Sequence, residues 1–332
     1  MRAKGLIILS VLLVISLYGC AVEQKTEEHI SEARFLLDTI CSITVFGTSD
    51  QSILDEAFDL CAEYEALLSI SYDGSDIWRI NHAGGSPVTV ADQTLELIKL
   101  GVEYGGVSGG MFDITIGRLS TLWDFTGLSG VPSGPDLDFA RSTVDYKQII
   151  INGNTVRLIN EEAWIDLGGV AKGYIAGKVA DFLRDRGVAG AVVDFGGDIA
   201  IVGGKPDGEP WRVGIRKPFG ERSELLGAVE LGEATIVSSG VYERMFEDNG
   251  IFYHHILDPG TGMPVRSDVV SATVIIESAV LGDIMSTIAL LVGCEQAEGL
   301  LKRAPGFIGA LLVLDNGELV QYGDVTLIML NA

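Results

Sequence analysis

The sequence predicts an α+β fold, in which mixed helices accompany a mostly antiparallel sheet within one large domain. Two segments of alternating apolar residues each turn at an Asn-Gly pair, at 152–153 and 316–317, and such pairs are typical of β-hairpins. Strands and helices do not alternate strictly, so a parallel βαβ sheet is not indicated. No repeat period or low-complexity linker divides the chain after its first 34 residues.

The individual elements follow from local patterns along the chain. Residues 39–47 alternate and are rich in β-branched side chains, so they predict a strand. Ser49 or Asp50 can then cap an amphipathic helix whose apolar face runs from Ile53 to Leu68. The other predicted elements are helices at 94–110 and 170–187, hairpins at 148–159 and 307–323, strands at 190–204, 211–218 and 268–276, and a helix that includes 282–293.

The first 19 residues have the features of a signal peptide. Arg2 and Lys4 precede an apolar run that is too short to span a membrane. The run ends in "LYGC", which resembles the bacterial lipobox and makes Cys20 the expected lipidation site; a plain secretory signal is the alternative. Residues 20–34 are then the lipidated cysteine and a polar tether, and residues 35–332 the single large domain. We expect a cell-membrane protein, lipid-anchored on the periplasmic side.

The composition excludes several classes of partner and site. The formal net charge is −23, so bulk electrostatics cannot attract nucleic acid or anionic lipid. An anionic substrate would need local help from a metal, a helix N-terminus or a few basic residues. Beyond Cys20 the cysteines are Cys41, Cys61 and Cys294, without CxxC spacing. They indicate neither a disulfide framework nor a zinc site.

The segment "GDIMSTIALLVG", residues 282–293, places three oxygen-bearing side chains on one helix face. Asp283, Ser286 and Thr287 have the spacing that brings side chains together on a helix. In one interpretation, Asp283 caps its own helix and Thr287 bonds back to the carbonyl of Asp283. In the other, these oxygens bind a hard cation such as Mg²⁺.

Two glycine-containing segments can approach a ligand closely. In "GGMFDITIG", 109–117, Asp113 lies among apolar neighbours and needs hydrogen-bond partners or a cationic ligand; a capped turn is the alternative. In "WIDLGGVAKGY", 164–174, Lys172 and the opening helix turn could meet a phosphate, or the glycines could only form a cap. Neither the P-loop nor the dinucleotide fingerprint is present.

Two further motifs contain titratable groups. "DFGGD", 194–198, favours a tight turn between strands. In "YHHILDPGTGMP", 253–264, His254 and His255 should point to opposite sides of a strand, one inside and one outside. An inward histidine of near-neutral pKa could transfer a proton, and a core histidine bonded to backbone is the alternative.

The ordered set of motifs resembles the ApbE family, bacterial FAD:protein FMN transferases that are often lipoproteins. The segments that carry the resemblance are "SYDGSDIWRIN", "GGMFDITIGRLSTLWDF", "DLGGVAKGY", "GGD", "SSGVYER", "HHILDPGTGMP" and "GDIMSTIALLVG". They span roughly residues 35–330. The resemblance implies that the enzyme binds FAD with Mg²⁺, transfers FMN to a threonine hydroxyl of a target protein as a phosphoester, and releases AMP.

The same resemblance implies roles for particular residues. The metal ligands are Asp283 and Thr287, with the backbone carbonyl of Gly169 and with Ser286 beside the metal. His255 lies next to the reaction centre, where with Asp283 it forms the catalytic pair. The expected FAD contacts are Leu37, Tyr72, Met111, Phe112, Asp113, Asp166, Lys172 and Leu257. Some relatives have a carboxylate where this chain has Ser286, so the number of metal ligands stays open.

Two other functions compete with the transferase. The same site could hydrolyse FAD to FMN and AMP if water replaced the threonine, or the chain could be a non-catalytic flavin-binding lipoprotein. A pair of oxygen ligands for a metal is unnecessary for mere carriage, which favours catalysis. The expected partners are FAD, a protein acceptor such as a membrane subunit of a redox complex, and the membrane through the anchor, but not nucleic acid.

Overall fold

The computed structural model describes residues 28–123, 125 and 130–329. The predicted signal peptide and Cys20 lie outside these residues. The helices within them are α1 (Ser52–Leu68), α2 (Asp76–Asn81), α3 (Asp92–Val107), α4 (Gly117–Trp123), α5 (Gly134–Arg141), α6 (Ala171–Asp185), α7 (Ala279–Val292) and α8 (Cys294–Leu301), with a 3₁₀ turn at Tyr146–Gln148.

The described strands form one large sheet and three small ones. The strands are β1 (His29–Leu36), β2 (Thr39–Phe46), β3 (Val88–Thr89), β4 (Ile149–Asn152), β5 (Thr155–Leu158), β6 (Gly190–Phe195), β7 (Asp198–Gly203), β8 (Trp211–Arg216), β9 (Leu225–Leu231), β10 (Thr235–Gly240), β11 (Met245–Asp248), β12 (Ile251–His254), β13 (Val269–Ile276), β14 (Phe307–Leu314) and β15 (Leu319–Gly323). The large sheet has the order β1-β2-β6-β7-β10-β13-β14-β15, and every neighbouring pair is antiparallel. The predicted α+β class is confirmed.

The large sheet is covered on both faces, which explains its apolar strands. On one face α1, α6 and α7 bury a single apolar core, to which β13 contributes Ala272, Val274 and Ile276. On the other face the β8–β9 hairpin covers Ile275 of the same strand, together with Ile236 and Leu311. The alternation of period two along β13 therefore serves two separate cores. This packing holds the start of α6 and the whole of α7 against the sheet. The candidate site lies where these two helices meet.

Most predicted elements are present, and one boundary is wrong. Both predicted hairpins form, as β4–β5 and β14–β15, and Asp50 accepts the Ser52 N–H at the start of α1. Residues 29–34, expected in the tether, instead belong to edge strand β1, which pairs with β2 along its whole length. A polar edge strand has little apolar signal of its own, because its pairing partner supplies the stabilisation.

Two further expectations concern membranes and cysteines. Within the described residues no helix combines the length and the apolar character needed to cross a membrane. Cys41 and Cys61 are unpaired residues of the main apolar core, and Cys294 is a free, half-buried cysteine.

Candidate active site

Asp283 lies where α6 begins against α7, and it serves a helix other than its own. Helix α7 starts after Ser278, so Asp283 belongs to its second turn. Its Oδ2 accepts the N–H of Gly173, 3.0 Å away, in the first turn of α6, where Val170 provides no side-chain cap. The prediction that Asp283 caps its own helix is therefore wrong; it caps the neighbouring helix.

The close approach of the two helices depends on Gly173. A Cβ on this residue would lie 2.4 Å from the carbonyl oxygen of Ala279 and 2.7 Å from the Cβ of Asp283. No larger residue fits there without moving backbone. The glycine therefore allows α6 to begin directly beside the carboxylate.

Lys172 lies between two buried carboxylates. Its Nζ donates to Oδ2 of Asp198 at 2.7 Å and lies 3.7 Å from Oδ1 of Asp283, a charge contact longer than a hydrogen bond. Burial alone would lower the pKa of Lys172, but the charges of Asp198 and Asp283 outweigh it and raise the pKa. Burial, and then the charge of Asp283, raise the pKa of Asp198 above its usual range. The lysine therefore remains a cation at neutral pH.

Three predicted residues from separate segments meet beside this cluster. A Cβ on Gly169 would lie 3.2 Å from the ring of Phe112 and 3.8 Å from Oγ1 of Thr287. The backbone of the "DLGGVAKGY" segment thus passes close to both the phenyl ring and the threonine hydroxyl. This arrangement agrees with the implied roles of Gly169 and Thr287 as oxygen ligands, and those roles stay predictions.

The hydroxyl of Ser286 is used within the protein. Its Oγ lies 2.8 Å from Oγ of Ser239 and donates to the carbonyl of Asp283 at 3.1 Å, and the residue is completely buried. The bond back to Asp283, predicted for Thr287, is therefore made by Ser286. Its position beside the metal stays a prediction, and we do not count it among the open ligands.

Asp113 and Asp166 organise the loops around the site. Asp113 Oδ1 accepts from both the N–H and the hydroxyl of Thr115, and Oδ2 accepts the N–H of Tyr146 at 2.8 Å. Asp166 accepts the N–H of Gly168 and the hydroxyl of Ser120. Burial raises the pKa of Asp113, and the hydrogen bonds from Thr115 and Tyr146 oppose this shift. For Asp113 the geometry matches the capped-turn interpretation, and its contact with FAD stays a prediction.

We expect Asp113→Asn to destabilise the domain by about 2–4 kcal/mol, because an amide NH₂ would face N–H and O–H donors that are buried. Urea denaturation followed by circular dichroism would measure the change. Asp59→Asn, an exposed position in the middle of α1, is the control, expected within about 0.5 kcal/mol of the parent. An unchanged midpoint with lost FAD binding would instead assign Asp113 to the ligand.

His255 follows β12 and is held by the backbone of Arg244. The carbonyl of Arg244 accepts the N–H of His255 at 3.2 Å and lies 3.3 Å from Nδ1. A carbonyl can only accept, so Nδ1 carries the proton and Nε2 keeps its lone pair. These two contacts hold the histidine against the backbone of Arg244.

Two expectations about the histidines need correction. His254 and His255 are both half-buried rather than one inside and one outside, because β12 ends at His254 and the alternation stops there. The pKa of His255 is not near neutral. Burial, and then the charge of Arg244, lower it to about 3. The imidazole is therefore neutral in the ligand-free protein and keeps a lone pair on Nε2, but it is a weaker base than an ordinary histidine.

The other residues that were expected to contact FAD differ in how they are linked to Asp283 and His255. Leu37 lies in the β1–β2 turn with positive φ, its N–H donates to Glu65, and the next residue's carbonyl accepts from Arg244. Met111 packs on the main core, whereas Leu257 belongs to a third apolar cluster with Trp123. The described contacts do not connect Tyr72, which is 57% exposed, with Asp283 or His255.

A family model described as the ApbE family matches residues 37–312, most of the chain. The chain belongs to the ApbE family.

Known ApbE proteins resemble the chain over nearly their whole length. The FAD:protein FMN transferase of Klebsiella pneumoniae (strain 342) is 33% identical over 276 residues, covering 82% of this chain and 85% of the relative. The crystal structure of the ApbE protein from Thermotoga maritima is 30% identical with a TM-score of 0.80, covering 89% of this chain and 97% of that one. The flavin transferase ApbE from Vibrio cholerae is 28% identical with a TM-score of 0.79 and the same coverage.

The donor atoms of this ApbE site suit magnesium better than a transition metal. In the part of the chain that the structure describes, no three or more His, Cys, Asp or Glu side chains are placed to hold a metal. A cation would therefore depend on one carboxylate with hydroxyl and carbonyl oxygens, which is a hard-cation donor set. Asp283 Oδ1, Thr287 and Gly169 provide these atoms, so the residues fit the group that the resemblance implies.

Sequence reasoning missed two residues of this ApbE site. Asp198 was interpreted only as part of a turn, and Arg244 was not singled out. The turn interpretation is correct, since Gly196 and Gly197 have φ of +67° and +100° between β6 and β7. Asp198 nevertheless bonds Lys172, 26 positions away. A buried aspartate needs a partner, but nothing local in the sequence identifies which one.

Proposed function

We propose that this ApbE protein is a magnesium-dependent FAD:protein FMN transferase, which joins FMN from FAD to a threonine hydroxyl of a target protein and releases AMP. The relatives named above support the transfer of FMN to a protein. The observation that carries the magnesium requirement is Asp283, a carboxylate only 2% exposed whose Oδ1 has no hydrogen bond among those described. It faces the ammonium of Lys172 at 3.7 Å.

One group of residues binds the diphosphate of FAD, and His255 acts on the acceptor. Lys172 binds the anionic diphosphate of FAD and offsets its charge in an acidic protein. The backbone at Gly169 and the ring of Phe112 approach the substrate closely and orient it. Mg²⁺, held by Asp283, Thr287 and the Gly169 carbonyl, would neutralise charge on the phosphoryl oxygens and on the departing AMP.

His255 acts on the acceptor. The threonine hydroxyl is a poor nucleophile until a base takes its proton, and Nε2 of neutral His255 is the free lone pair described above. The proton moves from the hydroxyl to Nε2, the threonine oxygen forms a bond to the FMN phosphorus, and the anhydride bond to AMP breaks. The products are a phosphoester-linked flavin and AMP, so the atoms and charges balance.

One assay tests this proposal against its two competitors. The protein without its predicted signal peptide and Cys20 is incubated with FAD and Mg²⁺, with and without an acceptor protein. Release of AMP that requires the acceptor, with an FMN-sized mass gain on it, supports the transferase. AMP released equally without acceptor would indicate an FAD hydrolase, and bound FAD without AMP would indicate a carrier. Either result contradicts the proposal.

The membrane attachment and the acceptor class are also part of the proposal. The lipobox-like "LYGC" supports an anchor at Cys20 on the periplasmic side of the cell membrane, and such an anchor favours acceptors that are membrane subunits of redox complexes. One acyl chain alone binds a membrane only weakly, so stable attachment at Cys20 requires a second acyl chain or another membrane-binding feature.

We expect Cys20→Ser to give a larger, unprocessed precursor or a soluble protein, because the thiol that receives the lipid is gone. Membrane fractionation and the intact mass of the mature protein measure this. Cys294→Ser, a half-buried cysteine far from the N-terminus in sequence, is the control and should fractionate like the parent. If C20S keeps its membrane attachment and mature mass, the anchor is not at Cys20.

A further inference from the structure

Asp198 is held by the large sheet in a position from which it reaches Lys172. It is the first residue of β7, its Cα pairs with Val237 of β10, and it is 1% exposed. The preceding turn packs closely against β2, since a Cβ on Gly196 would lie 2.3 Å from Oγ1 of Thr39. Lys172, by contrast, is a long side chain that is 27% exposed and can rotate at several bonds.

The ammonium of Lys172 lies closer to one of its two neighbouring carboxylates than to the other. Its Nζ lies 2.7 Å from Asp198 and 3.7 Å from Asp283. One neutral pair therefore forms at Asp198, and Asp283 keeps a buried negative charge that no hydrogen-bonded cation balances. An uncompensated buried charge is unfavourable, so a cation that arrives at Asp283 relieves this cost.

We infer that Asp198 is a positioning residue: it holds the ammonium of Lys172 away from Asp283 and so keeps Oδ1 of Asp283 open for a divalent cation. The inference rests on the proposed function, which places that cation at Asp283. Without the Asp198 carboxylate, Lys172 is expected to move onto Asp283 and form the direct ion pair there. The lysine would then compete with the metal for the same oxygen.

The test measures Mg²⁺ affinity rather than turnover. Calorimetric titration of Mg²⁺ into the protein without FAD or acceptor should give at least about tenfold weaker binding for Asp198→Asn than for the parent, since direct ion pairs of this kind are worth tenfold or more when buried. Asp198→Glu keeps the charge and should bind within about threefold of the parent. Asp194→Asn, on the same turn but bonded only to backbone, is the matched control and should leave the affinity unchanged.

The double variant Lys172→Met with Asp198→Asn separates positioning from a structural role. With no ammonium to move onto Asp283, Mg²⁺ affinity should return to within about threefold of the parent, although two changes have been made. Replacing a buried ion pair by neutral groups is often tolerated by the fold, so this variant remains usable if D198N does not fold. Circular dichroism checks the fold of each.

The outcomes are distinct. Weak binding in D198N that the double variant restores supports the inference. Unchanged affinity in D198N, or a double variant as weak as D198N or weaker, overturns it, because Asp198 then either plays no part or binds the metal itself. A parent protein that turns over FAD without binding Mg²⁺ contradicts the proposed metal site and this inference together, whereas loss of the inference alone leaves the transferase intact.

Discussion

Asp283→Asn is expected to lower the rate of FMN transfer by roughly 10²-fold or more. Neutralising phosphoryl charge with a bound metal is worth several kcal/mol at the transition state, and each 1.4 kcal/mol is about tenfold in rate. The asparagine keeps a carbonyl oxygen for the Gly173 N–H, so the cap on α6 survives while the charge is lost. Acceptor labelling under saturating FAD, over a range of Mg²⁺ concentrations, measures the effect.

Two companion variants separate charge from capping at Asp283. Asp283→Ala removes both, so it should match the asparagine variant in activity but unfold about 1 kcal/mol more easily, which is the value of a cap. Asp76→Asn is the matched control, because Asp76 is also buried and accepts the N–H of Ala91 and the hydroxyl of Thr94 at the start of α3. It should lose stability and keep its Mg²⁺-dependent activity.

The opposite pattern would return Asp283 to a purely structural role. An alanine variant that melts at a much lower temperature, yet while folded retains full Mg²⁺-dependent transfer, would mean that the carboxylate only caps α6. The magnesium part of the proposed function would then fail, while transfer to a protein acceptor could stand.

His255→Ala is expected to lower FMN transfer by roughly 10²–10⁴-fold, the usual range for loss of general acid–base help. FAD and Mg²⁺ affinities should change little, since neither depends on the proton transfer. His254→Ala, at the adjacent position, is the control and should be much milder. Titrating FAD by fluorescence and following the mass of the acceptor separate binding from chemistry.

The pH dependence of activity should reflect the lowered pKa of His255. Because burial and Arg244 bring that pKa to about 3 in the ligand-free protein, the base stays unprotonated throughout mildly acidic solution. The acid limb of kcat/KM, which reports groups of the free enzyme, should therefore lie well below pH 6.5. A His255→Ala variant that transfers FMN normally, or one that cannot bind FAD at all, would contradict the assignment of His255 as the base.

The same shift has a consequence for stability. The folded-state pKa lies below the ordinary value of 6.5, so the unfolded chain binds this proton more readily. The stability that neutral His255 contributes is thus fully present above pH 6.5 and is lost as the pH falls toward 3.

The sequence predicted what local chemistry determines and missed what distant contacts determine. Asn-Gly turns, the Asp50 cap and the left-handed glycines of the β6–β7 turn follow from a few neighbouring residues. The partner of Asp283 is set by where α6 starts, 110 positions away in sequence, and no helix pattern reports that. Strand β1 was missed because its stabilisation comes from β2.

Family resemblance brought together residues that periodicity could not connect. Gly169, Phe112 and Thr287 come from three segments, and only the folded chain places them in contact. Ser286 and Thr287 show the limit of such transfer, since adjacent hydroxyls on one helix differ completely in availability: one is sealed against Ser239, and the other lies beside Gly169.

The hydrogen bond from the Gly173 N–H to Asp283 makes this amide sensitive to whether a cation is bound at the carboxylate. A cation held at Oδ1 would draw electron density from Oδ2, and the N–H that Oδ2 accepts would then be less strongly polarised. The nuclear magnetic resonance signal of this single backbone amide would then move with occupancy of the far oxygen. Glycine amides resonate in a sparsely populated spectral region, and one labelled position would follow the chemistry of the site without touching substrate, acceptor or metal.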